Sequence, residues 1–321
     1  MTPGRPERIA PIVVAGLTPA WQQIVRLPRL ELGEVNRARD VVWCGSGKVL
    51  NVAWALATLG GAARTVSPVG GVMRNAITAE LADGGIPVEW VASQIPTRVC
   101  TTLLDEAMGQ ITELVENAGP LSAAELTAYG IALRATCQTL SPSVMVIAGS
   151  LPVGTPADCF VDWLPENPMA LVLDVRGAVL QSLLPRKPWL VKPNRDELAE
   201  TVGRPLTDDS ELLEVMRSLN AAGAEWVVVS QGAEQLWATS LAATYRVVPP
   251  RVAVVNPIGC GDSLAAGLAL GKSHGWPIER CLAFGVAAAS DNATRLLPAR
   301  LDRPAVERLA EQTLVEQVNA S

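Results

Sequence analysis

Apolar runs alternate with helical patterns along most of the chain. The series is 9–17, 48–59, 65–69, 76–82, 122–140, 144–148, 170–175 and 189–191, then 194–202, 210–222, 226–230, 262–272, 277–292 and 305–317. Runs such as Val144-Met145-Val146-Ile147 and Trp226-Val227-Val228-Val229 are apolar at every position, which suits central parallel strands buried on both faces. Ser122-Ala123-Ala124-Glu125 is a capping box that opens a helix, and Gly60-Gly61 and Gly84-Gly85 are helix stops. The alternation predicts an α/β fold: a doubly wound, mostly parallel sheet with helices on both faces. Two regions break the rhythm. Residues of about 20–44 and 86–116 hold short extended segments of alternating character, such as Thr97-Arg98-Val99-Cys100-Thr101-Thr102-Leu103-Leu104. They predict a small β-sheet inserted into a single domain spanning 1–321, since no repeat and no long Pro/Gly/Ser linker divides the chain.

Composition narrows the function classes. The 321 residues are 49% hydrophobic, enough for a sizeable core, and the formal charge is −6. Acidic and basic residues are interspersed, so no basic footprint for nucleic acid or anionic lipid exists. The run 9–17 behind Arg5 and Arg8 is short, carries Pro11 and reads as a buried strand; no stretch reaches the ~18 apolar residues of a membrane span. Cys44, Cys100, Cys137, Cys159, Cys260 and Cys281 show no C-x-x-C spacing, which fits a reduced, cytoplasmic protein without a zinc site. The single histidine, His274, leaves no material for a Ser-His pair or a multi-histidine metal site and reads as a surface residue.

The densest chemical signal is Asn256-Pro257-Ile258-Gly259-Cys260-Gly261-Asp262 ahead of an apolar helical run. Small residues at a helix start expose consecutive backbone N–H groups to an anion. Asp262 beside that cradle could accept a proton from an attacking hydroxyl, or it could simply cap a buried helix. Lys192-Pro193-Asn194-Arg195-Asp196-Glu197 follows a strand, so it lies at the carboxyl edge of the sheet where ligands bind. Asn194 and Glu197 could share a face and hold hydrated Mg²⁺, or form an ordinary strand-to-helix turn capped by Asn194. Ser230-Gln231-Gly232 follows another central strand and could receive a nucleotide, although such a loop is common.

Gly45-Ser46-Gly47-Lys48-Val49-Leu50-Asn51 lacks the Ser or Thr after lysine that a Walker loop needs and the third glycine of a dinucleotide fingerprint. It leaves a glycine turn with Lys48 and Asn51 available to an anionic, hydroxylated substrate, or a lysine merely solvated at a helix start. Arg98 could grip a phosphate through a bidentate contact, or face water as most strand arginines do.

Together these segments resemble the PfkB, or ribokinase-like, carbohydrate kinases, in the branch of 1-phosphofructokinase and tagatose-6-phosphate kinase. The resemblance is carried nearly end to end by Gly33-Glu34-Val35-Asn36, Gly47-Lys48 to Asn51-Val52-Ala53, Thr97-Arg98, Thr112-Glu113-Leu114, Gly149-Ser150-Leu151-Pro152, Lys192-Pro193-Asn194 to Glu197-Leu198, Ser230-Gln231-Gly232 and Gly259-Cys260-Gly261-Asp262-Ser263. It implies an ATP-dependent kinase acting on a hydroxyl of a ketohexose phosphate, fructose 1-phosphate or tagatose 6-phosphate in type. Asp262 would be the base, and the backbone of Gly259, Cys260 and Gly261 the anion hole. Asn194 and Glu197 would organise Mg²⁺ through water, with Lys192, Ser230 and Gly232 near ATP. Thr18, Gln22, Gly47, Lys48, Asn51 and Arg98 would face the sugar, and the inserted sheet would be a lid and a homodimer contact.

Departures from the family pattern cluster on the sugar side. Gly16-Leu17-Thr18-Pro19-Ala20-Trp21-Gln22 stands where Thr-Leu-Asn-Pro-Ala-x-Asp is usual, Ser46 and Val49 replace two glycines of Gly-Gly-Lys-Gly, Pro257 replaces threonine, and Gln235 replaces glycine. They keep two alternatives in view: a kinase of an unphosphorylated sugar or nucleoside, and a non-catalytic relative that only binds.

Overall fold

A computed structural model describes residues 11–166 and 169–318. From the amino end come β1 (Ile12–Ala15), β2 (Ala20–Leu27), β3 (Asp40–Ser46), α1 (Lys48–Thr58), β4 (Ala63–Gly70), α2 (Arg74–Asp83), β5 (Val88–Ser93), β6 (Arg98–Asp105), β7 (Gln110–Val115), α3 (Ala123–Leu140) and β8 (Val144–Ala148). The second half contains α4 (Cys159–Trp163), β9 (Ala170–Asp174), α5 (Gly177–Leu183), β10 (Leu190–Val191), α6 (Arg195–Val202), α7 (Asp209–Ala221), β11 (Trp226–Val229), β12 (Leu236–Thr239) and β13 (Thr244–Val248). It closes with α8 (Cys260–Ser273), α9 (Ile278–Ala293), α10 (Arg303–Gln312) and β14 (Leu314–Val318).

The large sheet has ten strands in the order β14-β13-β12-β11-β10-β9-β8-β1-β4-β5. From β5 through β11 every pairing is parallel, and β12, β13 and β14 add an antiparallel edge. Alternation along the central strands sends successive side chains to opposite cores. Ile12, Val14, Val144, Val146, Val172 and Leu190 meet α1, α8 and α9 on one face. Val13, Ala15, Met145, Ile147, Leu173 and Val191 meet α3, α4, α5, α6 and α7 on the other. The doubly wound α/β expectation is therefore met.

A second sheet of four strands, β3-β2-β6-β7, forms the insertion. Its strands come from the expected regions with one correction: β5, inside the 86–116 segment, pairs with β4 at the edge of the large sheet. As an edge strand it keeps one face in water, so Val88-Glu89-Trp90-Val91 alternates just as a small-sheet strand would. The periodic stretch 305–317 also divides, into α10 and the terminal strand β14. Residues 9 and 10 of the first apolar run, with Arg5 and Arg8, lie outside the described residues; the strand itself starts at Ile12. No helix among the described residues is long and apolar enough to cross a membrane.

Candidate active site

The carboxyl ends of β1, β8, β9 and β10 face the amino ends of α1, α6 and α8, where Lys48, Asn51, Lys192, Glu197 and Asp262 converge, while Gln22, expected at the sugar, does not reach them. Gly259, at φ 85°, turns the chain into α8. A left-handed turn of that kind suits glycine, and a Cβ there would meet Pro298 at 2.8 Å. Cys260 and Gly261 begin the helix, and their N–H groups have no partner within it; the Cys260 N–H, expected in the anion cradle, turns back to Pro257 O at 3.1 Å, which leaves the Gly261 N–H available to an anion. Asp262 follows in the first turn and is buried.

Asp262 caps nothing: the amino end of α8 has no side-chain cap. Its Oδ2 instead accepts from Asn51 Nδ2 at 2.7 Å, and Asn51 is in turn met by the Ser46 hydroxyl at 3.1 Å. Ser46, a departure from the family pattern, thus orients the residue that orients Asp262. Burial, with the negative charge of Asp174 nearby, pushes the Asp262 carboxyl up to about 6, against the lowering influence of Lys48, Asn51 and Lys192. Such a carboxylate can take a proton near neutral pH.

Two lysines flank it. Lys48 Nζ lies 2.8 Å from Asp174 Oδ1 and 2.8 Å from Glu197 Oε1. Burial works against its charge, yet the surrounding carboxylates prevail and hold its ammonium above the ordinary lysine range. Lys192, buried, places its Nζ 3.3 Å from Asp174 Oδ2 and beside the backbone of Gly261. Buried ions of both signs persist because they are paired. Asp174 is the hub of this cluster, and sequence reasoning passed over it. Its signal was a carboxylate closing the apolar strand Ala170-Leu171-Val172-Leu173, at the sheet edge where ligands bind.

Asn194 and Glu197 form a reciprocal capping box on α6: Asn194 Oδ1 accepts from Glu197 N, and Glu197 Oε2 accepts from Asn194 N. Burial raises the Glu197 carboxyl, but Lys48 and Lys192 outweigh it and leave the group below its ordinary value. Both Glu197 oxygens are engaged, and no cluster of three or more His, Cys, Asp or Glu among the described residues could hold a metal directly. Oxygen donors already bonded to protein suit a Mg²⁺ that keeps its waters. Ser230 pairs with Asn194 as a single parallel bridge, and Gly232, at φ 63°, turns the following loop. That loop is tied down by Gln231 and Gln235, the latter donating to Asp209 Oδ2 at 2.8 Å.

On the other side, Gly47 supports the turn between β1 and β2, since a Cβ there would lie 2.7 Å from Thr18 O. Thr18 donates to Ser150 O at 3.2 Å. Gln22 is buried inside the small sheet and donates to Thr102 Oγ1 at 2.7 Å. Arg98 donates to Thr18 O and Glu116 O at 3.3 and 3.2 Å, while its Nε has no partner. Thr18 and Arg98 line a recess with Leu17, Pro68, Pro96 and Pro152. Val49, the other glycine replacement, is accommodated by Gly16: a Cβ on Gly16 would approach Val49 Cβ at 2.7 Å.

A model of the pfkB family carbohydrate kinases matches residues 12–300. The chain belongs to this family. Escherichia coli phosphofructokinase-2, solved with fructose-6-phosphate, is 27% identical, with 94% of this chain and 99% of that one covered at a TM-score of 0.83. The same enzyme in complex with potassium gives 26% identity, the same coverage and a TM-score of 0.86. A Thermotoga maritima protein described as a possible 1-phosphofructokinase superposes at a TM-score of 0.87 over 96% of this chain and 100% of its own, with 20% identity, and shares the fold. As a pfkB carbohydrate kinase the protein is a phosphotransferase with an alcohol acceptor, in the ribokinase-like fold.

Proposed function

We propose that the protein transfers the γ-phosphoryl group of ATP to a hydroxyl of a ketohexose phosphate, of the fructose 1-phosphate or tagatose 6-phosphate type, with Asp262 as general base. The observation that carries this reading is the buried Asp262 raised to about 6 at the open amino end of α8, directly after the Gly259 turn. ATP, with Mg²⁺ held through water near Asn194 and Glu197, supplies an activated phosphoryl group on the Lys192, Ser230 and Gly232 side. The acceptor occupies the Thr18–Arg98 side, where Asn51 orients Asp262 toward its hydroxyl. As the hydroxyl attacks and ADP leaves, Asp262 takes the hydroxyl proton, and the Gly261 N–H with the Lys192 ammonium meets the negative charge that develops. Arg98, which lines this recess, is the cation offered to the acceptor's own phosphate.

One observation favours an unphosphorylated acceptor as the second reading: Lys48, the other cation expected to grip a phosphate, is engaged by Asp174 and Glu197. ATP turnover with Mg²⁺ against fructose 1-phosphate, fructose 6-phosphate, tagatose 6-phosphate, unphosphorylated sugars and nucleosides separates the two. Asp262→Asn is expected to lower kcat by about 10²-fold or more while ATP still binds; unchanged turnover would remove Asp262 as base.

We also propose a homodimer through the outer face of the small sheet. Cross-strand register puts Trp21, Val25, Val41, Trp43, Val99 and Leu114 on one face. Trp43 and Leu114 are 42% and 56% exposed, and Trp21 stacks on Trp43 at 6.2 Å. An apolar face of this kind suits a second copy of itself.

A further inference from the structure

Asn292 is fully buried at the carboxyl end of α9 and spends its side chain on the loop that carries the anion hole. Its Nδ2 donates to Ile258 O at 2.9 Å and to Cys260 Sγ at 3.3 Å. Its Oδ1 accepts from Ser263 Oγ at 3.2 Å and from Ala299 N at 2.6 Å. The surroundings dictate that orientation, because a carbonyl oxygen must meet the amide nitrogen and an N–H must meet the oxygen. One amide therefore joins the residue before Gly259, the residue after it, the first turn of α8 and the loop that follows α9. The bare Cα of Gly259 fits against the same group, since a Cβ there would lie 3.3 Å from Asn292 Oδ1. Asn256 repeats the tie one turn earlier: it donates to Leu296 O at 2.8 Å and accepts from Ile258 N at 3.1 Å.

A buried amide with every hydrogen-bonding position filled is a rigid fixture, and each lost partner would leave a polar group stranded. The short turn Pro257–Gly259 closes on itself only through the Cys260 N–H to Pro257 O, so the direction in which α8 starts, and with it the Gly261 N–H, depends on how that turn is held. We infer that Asn292 is a positioning residue for phosphoryl transfer, holding the 257–259 turn and the first turn of α8 in the geometry that receives the transferred group. This rests on the kinase reading above, and Asn292 acts through the loop without touching substrate.

The test compares wild type, Asn292→Ala and Asn292→Asp in two readouts. Asn292→Asp keeps an acceptor for Ser263 Oγ and Ala299 N in a side chain of the same size and turns the donor facing Ile258 O and Cys260 Sγ into an acceptor, so it strikes the donor side of the brace alone. The first readout is steady-state kinetics with the best acceptor of the panel. We expect kcat to fall about 10- to 100-fold in both variants, with KM for ATP changed less than about threefold. A kcat within about twofold of wild type in the folded Asp variant, or a loss confined to KM, overturns the inference. The second readout is hydrogen exchange of the amides of 258–263 in the full-length protein, which needs no turnover. Faster exchange confined to that segment supports the brace; exchange equal to wild type overturns it. If wild type turns nothing over, the kinase reading is at fault, and the exchange result still decides the role of Asn292.

Discussion

At the scale of single residues, the pH behaviour of the site is set by which charges surround Asp262. The Asp174 charge raises the Asp262 carboxyl and the Lys48 charge lowers it. The acid limb of the kcat profile is expected near pH 6, and Asp174→Asn should move it to lower pH when both proteins are followed with the best acceptor across pH 5 to 8. An unmoved limb would assign that ionisation to another group. The same burial has a stability cost with a definite sign. Asp262 starts from 3.8 and is raised in the folded protein, so its neutral form is free of penalty below about pH 4. Ionisation destabilises the fold progressively as pH rises, and the full penalty is present above about 6. Asp262→Asn should raise Tm by a few degrees at pH 7.5 and leave it nearly unchanged at pH 4, as read by calorimetry. Much of this residue-level picture was visible in the sequence, since Gly259-Cys260-Gly261-Asp262 and Asn51 occur in recognisable surroundings. Asp174 and Asn292 were hidden because their partners are remote: Lys48 lies 126 positions from Asp174, and Ile258 lies 34 from Asn292. A trace existed for Asn292, because it continues the buried stripe of Cys281, Gly285 and Ala288 on α9 with a polar residue.

Among elements, the decisive contact is the crossing of α8 and α9. A Cβ on Gly267 would approach the Gly285 Cα at 2.7 Å, so the two backbones touch with no side chain between them. That close approach sets the height of α9 and hence the reach of Asn292. Gly267→Ala should cost about 1–3 kcal/mol in urea unfolding and should also lower kcat, because separating the helices withdraws the amide from the loop. A stability loss with unaltered kcat would show that the loop follows α8 alone. Element types were legible where the period was long, as in α3 with its capping box, Ser122 and Glu125. They were less so at the edges of the sheet. Strands β12 and β13 have only four and five residues, and β14 follows α10 so closely that one apolar period covers both.

For the molecule as a whole, the small sheet has two unequal faces. Ile24, Cys44 and Leu104 face inward toward Leu296 and Leu297, while the Trp21–Trp43 stack faces outward. Trp43→Lys should shift sedimentation from dimer toward monomer and leave the unfolding midpoint of the isolated subunit within about 0.5 kcal/mol in stability. A wild-type monomer would remove the proposed contact. Between this sheet and the large one stands Glu80 of α2. One of its carboxylate oxygens accepts from Gly45 N in β3, and the other meets Arg300 Nη2 at 2.5 Å. Arg300 directly follows Ala299, whose N–H is held by Asn292 behind the Gly259 turn. The two sides of the cleft thus share one carboxylate. If engaging the acceptor shifts β3, then Arg300 and the Gly259 turn shift with it, and the two ligands become energetically linked. Linkage is reciprocal: whatever factor the acceptor adds to ATP affinity, ATP must add to acceptor affinity, and cutting the chain at Glu80 should bring both factors toward one.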